Sequence, residues 1–190
     1  MLRYAIIFAA GKPCRRRLNM PKFTHLDEKG KARMVDVSEK DTTRREAVAR
    51  GKVLMKPQTA EAIEKQSIAK GDVLAVAKIA GIMAAKKTSE LIPLCHPLEI
   101  TAVDVSFRTD ARRGEIEIEA TVRTLGRTGV EMEALTAVAV TALTVYDMCK
   151  SEDKEMVLGD IMLISKKGGK SGSFRRGKGY TSVEEKAISG

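Results

Sequence analysis

Two charged residues three positions apart, Asp147 and Lys150, are the first candidates for chemistry in this chain. Side chains at this spacing lie on the same face of a helix, so a carboxylate and an ammonium group can touch there. At the edge of a dry interior, burial and the partner charge would shift both pKa values and allow proton exchange. The alternative, which spacing alone favours, is an exposed ion pair at a helix end.

The sequence before this pair predicts the helix that positions it. Residues 134–146 carry no charge, and Leu135, Val138 and Val145 recur at helical spacing with no glycine or proline between them. The uncharged run is too short to span a bilayer, so it predicts a buried helix of a globular core and no membrane partner. The charged pair would then stand where a core helix meets a cleft.

A second candidate is His96, one of two histidines, within Leu91-Ile-Pro-Leu-Cys-His-Pro-Leu98. Each proline fixes its own φ and keeps the residue before it out of the helical region, so Ile92 and His96 are held extended in a stiff, kinked segment. Imidazole titrates near neutrality, which suits proton transfer or phosphate contact. A purely structural histidine is the alternative, but prolines on both sides favour a positioned group.

The composition favours a phosphorylated small molecule as ligand. Lys and Arg number 34 against 25 Asp and Glu, a formal charge of +9 that attracts phosphate. Aromatic residues make up only 4% and are dispersed, which disfavours stacking on single-stranded nucleic acid. Three cysteines without paired spacing predict neither a disulfide framework nor a zinc site, and a cytoplasmic location follows as the default.

Several basic residues are candidates for phosphate contact. The segment Lys166-Lys-Gly-Gly-Lys-Ser-Gly172 fails as a P-loop, because Ile164 occupies the position of the required first glycine. Glycines and lysines after a strand still let N–H groups and ammonium charges approach phosphate, although a flexible basic loop is the alternative. Lys70 precedes a helix entrance, where anions are favoured. Lys86 could instead stabilise a helix end, and Arg45 could be a phosphate fork or a solvated strand residue.

Periodicity predicts a mixed order of helices and antiparallel strands, hence an α+β fold with helices packed on one face of the sheet. From Arg45 the alternation favours a strand over a helix opened by a capping box. A helix capped by Asp72 and a hairpin turning at Asp110–Gly114 are the clearest other elements. The predicted elements are strands at 34–38, from 45, at 103–107, 116–122 and 161–165, and helices at 57–67, 73–85 and 131–150.

Four strings of residues together resemble one protein family. They are Lys86-Lys-Thr-Ser-Glu-Leu-Ile-Pro-Leu-Cys-His-Pro-Leu98, Gly126-Arg-Thr-Gly-Val-Glu-Met-Glu-Ala-Leu135, Tyr146-Asp-Met-Cys-Lys150 and Gly168-Gly-Lys-Ser-Gly172. In order and spacing they are similar to the cyclic pyranopterin monophosphate synthases, also called molybdenum cofactor biosynthesis protein C. The resemblance implies a ferredoxin-like antiparallel sheet and a single domain over 20–174. Residues 1–19 are then expected to be a poorly ordered extension or a start-site artefact, and 175–190 a flexible basic tail.

The resemblance also implies a reaction. The substrate would be 3′,8-cyclo-7,8-dihydroguanosine 5′-triphosphate, and the products cyclic pyranopterin monophosphate and pyrophosphate. Asp147 and Lys150 would be the catalytic pair, with Lys150 as proton donor or acceptor and Asp147 orienting it. No redox cofactor would be required, magnesium could accompany the triphosphate, and the assembly would be a homohexamer, a trimer of dimers with sites between subunits.

The family pattern further implies the substrate-binding residues. Glu131 and Glu133 would bind the edge of a guanine-like ring. The alternative is that these carboxylates only stabilise the helix dipole at the amino end of the long helix. A basic nucleic-acid-binding module is the rival function, but it leaves the acid–base pair unexplained. The implied binding residues are Leu94, Cys95, His96, Met132 and Glu133, with Glu131, Lys70, Lys86, Arg45 and Lys166 as further members.

Overall fold

The computed structural model describes residues 29–177 of the chain, and its helices and strands lie in the compact unit that begins at Met34. The expected extension at 1–19 and most of the expected tail, 178–190, lie outside the described residues. In chain order the elements are β1 (Thr43–Leu54), α1 (Pro57–Glu64), α2 (Val73–Lys86), α3 (Thr88–Leu91), β2 (Ile100–Asp110), β3 (Glu115–Gly126), α4 (Glu131–Cys149), β4 (Val157–Lys167) and β5 (Phe174–Arg175).

The strands form one antiparallel sheet in the order β2-β3-β1-β4-β5. Strand β1 pairs with β3 along its whole length and with β4 on its other side. A β-α-β-β-α-β succession with this arrangement is the ferredoxin-like topology, so the predicted α+β fold is confirmed. The short β5 adds only a two-residue fifth strand at the β4 edge.

Apolar and charged side chains alternate along β1 and β3, so the two faces of the sheet differ in polarity. One face presents small and branched side chains such as Ala47, Val53 and Ile118, all fully buried beneath the helices. The opposite face is lined by charged residues that pair across strands, for example Arg50 with Glu119 at 2.7 Å. Because only one face of the sheet is apolar, the helices pack on that face alone.

Helices α2 and α4 pack against each other in antiparallel fashion. Gly81 of α2 faces Ala137 and Thr141 in the middle of α4, whereas Lys70, just before α2, reaches Asp147 near the end of α4. Gly81 is required for this approach, because a Cβ there would overlap the Thr141 hydroxyl oxygen. The carboxyl end of α2 therefore lies at the amino end of α4.

Helix α4 is the central rod of the fold. It runs for 19 residues, and it is the only described helix long and apolar enough to cross a membrane by length and composition. Half of that apolar stretch is buried against the sheet and α2, which is the position of a core helix. The predicted buried helix is confirmed.

Two local predictions need correction. Residues 34–38 do not form a strand, because their polar groups pair elsewhere: the Val35 carbonyl accepts from His96 Nε2 at 2.8 Å, and Asp36 accepts from the Ser38 amide. Helix α1 ends at Glu64 rather than near residue 67, since Gln66 adopts a left-handed φ of 52° that cannot continue a helix.

We expect Gly81→Ala to lower the free energy of unfolding by about 1–3 kcal/mol, because its methyl group overpacks the α2–α4 contact. The better helix propensity of alanine offsets only about 1 kcal/mol of this. Urea unfolding measures the change. In a Thr141→Ala background, Gly81→Ala should lower the free energy of unfolding by clearly less. An equal loss in both backgrounds would show that the overlap with the Thr141 hydroxyl is not its cause.

Candidate functional site

Asp147 and Lys150 meet in the last turn of α4. Lys150 Nζ lies 2.7 Å from Asp147 Oδ1. Lys70, from the connection between α1 and α2, donates through Nζ to the Asp147 main-chain oxygen at 2.7 Å and lies 3.8 Å from its Oδ2. Because the last carbonyls of a helix lack helical partners, an ammonium group there both satisfies the backbone and favours the dipole. Lys70, Asp147 and Lys150 form what we call the carboxyl-end cluster.

Charge, rather than burial, controls protonation in the carboxyl-end cluster. The hydrogen bond from Lys150 lowers the pKa of Asp147, and the charges of Lys150 and Lys70 act in the same direction. The hydrogen bond to Asp147 raises the pKa of Lys150. Within one chain these side chains are 62% and 51% exposed. At neutral pH the pair is therefore a carboxylate and an ammonium ion, and Lys150 has a proton to donate.

A second group of candidates lies at the other end of α4. Lys166 Nζ, at the end of β4, lies 2.9 Å from Glu131 Oε1 in the first turn of the helix. Arg45 donates from Nε to the Gly126 carbonyl at 2.8 Å and from Nη2 to the Arg127 carbonyl at 3.0 Å. These side chains help to line a polar cavity of about 170 Å³. Its other lining residues are Lys40, Glu46, Thr128, Gly129, Lys167, Gly168 and Ser171.

The glycine loop after β4 fixes Arg45 beside this cavity. Gly168 and Gly169 have φ values of 95° and 77°, which favour glycine. A Cβ at Gly169 would overlap the Arg45 guanidinium, and one at Gly168 would overlap the backbone carbonyl of Arg44. The backbone of the loop therefore packs against the Arg45 guanidinium. The loop also brings Ser171 Oγ to 3.3 Å from Lys166 Nζ.

Glu133 is the buried acid of this end. Its side chain is only 4% exposed, and burial raises its pKa to about 7, with the charge of Glu131 adding to the shift. Burial, followed by the charge of Glu133, raises the pKa of the Cys95 thiol. Cys95 is therefore a neutral thiol near a carboxyl group and not a thiolate nucleophile. Arg45, Cys95, Glu131, Glu133 and Lys166 form what we call the amino-end cluster.

The remaining candidates flank the amino-end cluster. His96 Nε2 must carry a proton, because its partner, the Val35 carbonyl, can only accept. Leu94 is half-buried in the same segment, and Met132 is partly exposed on the first turn of α4. Lys86 is exposed at the end of α2, which the antiparallel packing places at this end of α4.

The structure thus divides the candidates between the two ends of one rod. Glu131 and Asp147 are sixteen residues apart in α4, which corresponds to about 24 Å of helix. A small molecule that touches the carboxyl-end cluster of one chain cannot also lie in the polar cavity of the same chain. One chain therefore does not bring all of the predicted site residues together.

The cavity also contains residues that the sequence did not single out as site residues. Lys40, Thr128 and Ser171 line it with Lys166. Thr128 and Ser171 fall inside strings that carried the family resemblance, a signal that could have identified them, whereas Lys40 lies outside every such string. Among the described residues, no three His, Cys, Asp or Glu side chains converge as metal ligands would.

The buried acid predicts a pH-dependent stability. The pKa of Glu133 is about 7 in the folded chain against 4.5 ordinarily, so between these values the folded state holds the proton more tightly than the unfolded state. Stability is therefore lost as pH rises through this window, by up to about 3 kcal/mol. We expect Glu133→Gln to escape this loss in urea titrations at pH 5 and pH 8. Parallel pH dependence of wild type and variant would contradict the assignment.

Comparison with known proteins places the chain in a family. The profile of the MoaC family matches residues 34–169. The chain is 63% identical over 157 residues to the cyclic pyranopterin monophosphate synthase of Pelotomaculum thermopropionicum, covering 83% of this chain and 92% of that protein. It is 64% identical over 157 residues to the synthase of Heliobacterium modesticaldum, covering 83% and 99%, respectively. The synthase of Thermoanaerobacter sp. strain X514 is 60% identical over 153 residues, covering 80% and 97%. The chain belongs to the MoaC family.

Proposed function

We propose that this protein is a cyclic pyranopterin monophosphate synthase of molybdenum cofactor biosynthesis. It would convert 3′,8-cyclo-7,8-dihydroguanosine 5′-triphosphate to cyclic pyranopterin monophosphate and pyrophosphate. The observation that carries the proposal is the Asp147–Lys150 pair, bracketed by Lys70, in a chain that covers more than nine-tenths of synthases so named. An acid–base pair without a thiolate nucleophile suits a reaction made of proton transfers and a phosphoryl displacement.

The amino-end cluster suits the phosphate chemistry. In the displacement, a hydroxyl of the substrate attacks the α-phosphorus and loses its proton to Lys150 in its neutral form. The bond from that phosphorus to the bridging oxygen breaks, and pyrophosphate leaves with the negative charge. Arg45, Lys40 and Lys166 surround a cavity of about 170 Å³, where cations would stabilise that charge as it develops. A cyclisation that expels pyrophosphate in this way belongs to the phosphorus–oxygen lyases. Magnesium would arrive with the triphosphate, and no redox cofactor is invoked.

The carboxyl-end cluster suits the proton transfers. Lys150 enters the reaction as an ammonium ion and donates its proton to a ring nitrogen or leaving oxygen, while Asp147 holds it in place. Once the lysine is neutral, the same pair accepts a proton in a later step, and the two groups titrate as a unit. Glu133, protonated near neutrality, can donate a hydrogen bond to the edge of the purine-derived ring.

We propose that two chains complete each site. The carboxyl-end cluster of one subunit would face the amino-end cluster of another, in a homohexamer built as a trimer of dimers in the cytoplasm. Such sharing explains why one chain leaves Asp147 and Lys150 exposed although they would do acid–base chemistry. A nucleic-acid partner is not proposed, because many cations on the charged sheet face, such as Arg50 and Lys52, already pair with carboxylates.

Release of pyrophosphate from the cyclised triphosphate tests this function. We expect wild type to release it, and Asp147→Asn and Lys150→Ala each to lower kcat by about 10²-fold or more, as loss of an acid–base group does. Lys154→Ala, a few residues beyond the helix, is a matched control that should keep activity. Circular dichroism must show that all variants remain folded. No pyrophosphate from folded, assembled wild type would refute the proposal.

A further inference from the structure

A second basic cavity lies mainly on the charged face of the sheet, at the end where β1 and β2 begin and β3 and β4 finish. Its volume is about 590 Å³, within the range of small-molecule sites. Arg44, Glu46, Arg123, Leu125 and Lys167 form most of its wall. Thr101 and Thr124 complete the lining with Arg45, the only residue of the amino-end cluster among them.

The strand register places three cations around this cavity. Glu46 on β1 lies opposite Arg123 on β3 and Lys167 on β4, and Arg44 lies two residues before Glu46 on β1. Strands lie about 4.8 Å apart and each residue advances about 3.3 Å, so the three basic Cα atoms form a triangle with sides of roughly 8–10 Å. Side chains as long as these can converge on one phosphate group from such positions.

The cations are not neutralised by their neighbours. The Glu46 carboxylate lies 2.7 Å from Arg123 Nε and 3.5 Å from Lys167 Nζ. The hydrogen bond from Arg123 lowers the pKa of Glu46, so this carboxyl group stays ionised. One carboxylate against these three cations leaves a net charge of +2, and Arg45 adds a fourth cation to the lining. Arg44 has no ion pair or side-chain hydrogen bond among the described residues, and Arg123 binds Glu46 through Nε, which leaves its terminal N–H groups available.

An apolar surface adjoins the cations. Leu125 pairs with Arg44 across the sheet, and its side chain is 58% exposed. A flat ring can lie on this side chain while a phosphate group attached to it reaches the guanidinium groups. Arginine is the side chain best suited to bind phosphate in this way, through parallel N–H donors.

We propose that this cavity is a second binding site, for a nucleoside monophosphate, beside the polar cavity with which it shares Arg45, Glu46 and Lys167. Arg44, Arg123 and Lys167 bind its phosphate, and Leu125 contacts its base. Arg44, Arg123 and Leu125 line only this cavity, whereas Lys167 also lines the polar cavity. The test rests on Arg44, which does not line the polar cavity, so the proposal can fail while the proposed function stands.

Calorimetric titration with GMP tests the site. The full chain carrying Lys166→Ala is used first, so that binding in the reaction cavity is weakened. We expect this variant to bind GMP at low salt, and the addition of Arg44→Ala to weaken that binding at least tenfold. Adding Arg112→Ala instead, an exposed arginine in the β2–β3 turn at the opposite end of the sheet, should leave it unchanged.

The same variants distinguish this site from the reaction site. Arg44→Ala alone should release pyrophosphate from the cyclised triphosphate with the KM of wild type. Absence of GMP binding by the Lys166→Ala variant, or equal binding with and without Arg44→Ala, would overturn the proposal. A tenfold higher KM for Arg44→Ala would do so too, because Arg44 would then belong to the substrate site.

Discussion

The length and stiffness of α4 determine what the rest of this structure can do. The helix has no glycine or proline, and it is packed against β1, β3, β4 and α2, so it cannot bend to bring its ends together. Its burial is possible because Gly81 lets α2 approach and because the inward face of β1 is built from small residues. The helix holds its two groups of predicted site residues about 24 Å apart, and for this reason the site that we propose takes one group from each of two chains.

The two ends of the rod differ in their electrostatics. At the carboxyl end, exposed opposite charges hold each other ionised, and Lys70 adds a third charge over the helix terminus. At the amino end, Glu133 is buried, no described residue forms an ion pair with it, and it keeps its proton to near neutrality. Bringing the ends together would set an ammonium donor and a neutral carboxylic acid around one substrate, with the cations of the polar cavity beside them. Groups whose environments push their pKa values apart are suited to separate acid and base roles.

The sequence predicted the elements well where periodicity was long. Helix α4, the β2–β3 hairpin and the Asp147–Lys150 contact follow from spacing alone. It failed at residues 34–38, because alternation cannot reveal that a carbonyl there bonds a distant imidazole instead of a strand. It also could not show that Arg45 lies under the glycine loop, a contact made only once β1 and β4 pair. The predicted length of α4 could have shown that the candidates at its two ends lie too far apart to meet within one chain.

Mixing two variants, each defective in one of the two clusters, tests most directly the central claim that a site is shared between chains. Lys150→Ala and Lys166→Ala subunits would be unfolded, combined and reassembled, and pyrophosphate release compared with each variant reassembled alone. If each site takes one cluster from each of two chains, random mixing restores about a quarter of the sites, and activity should rise to about that fraction of wild type. If both clusters of a site belonged to one chain, every site would keep a defect and mixing would restore nothing.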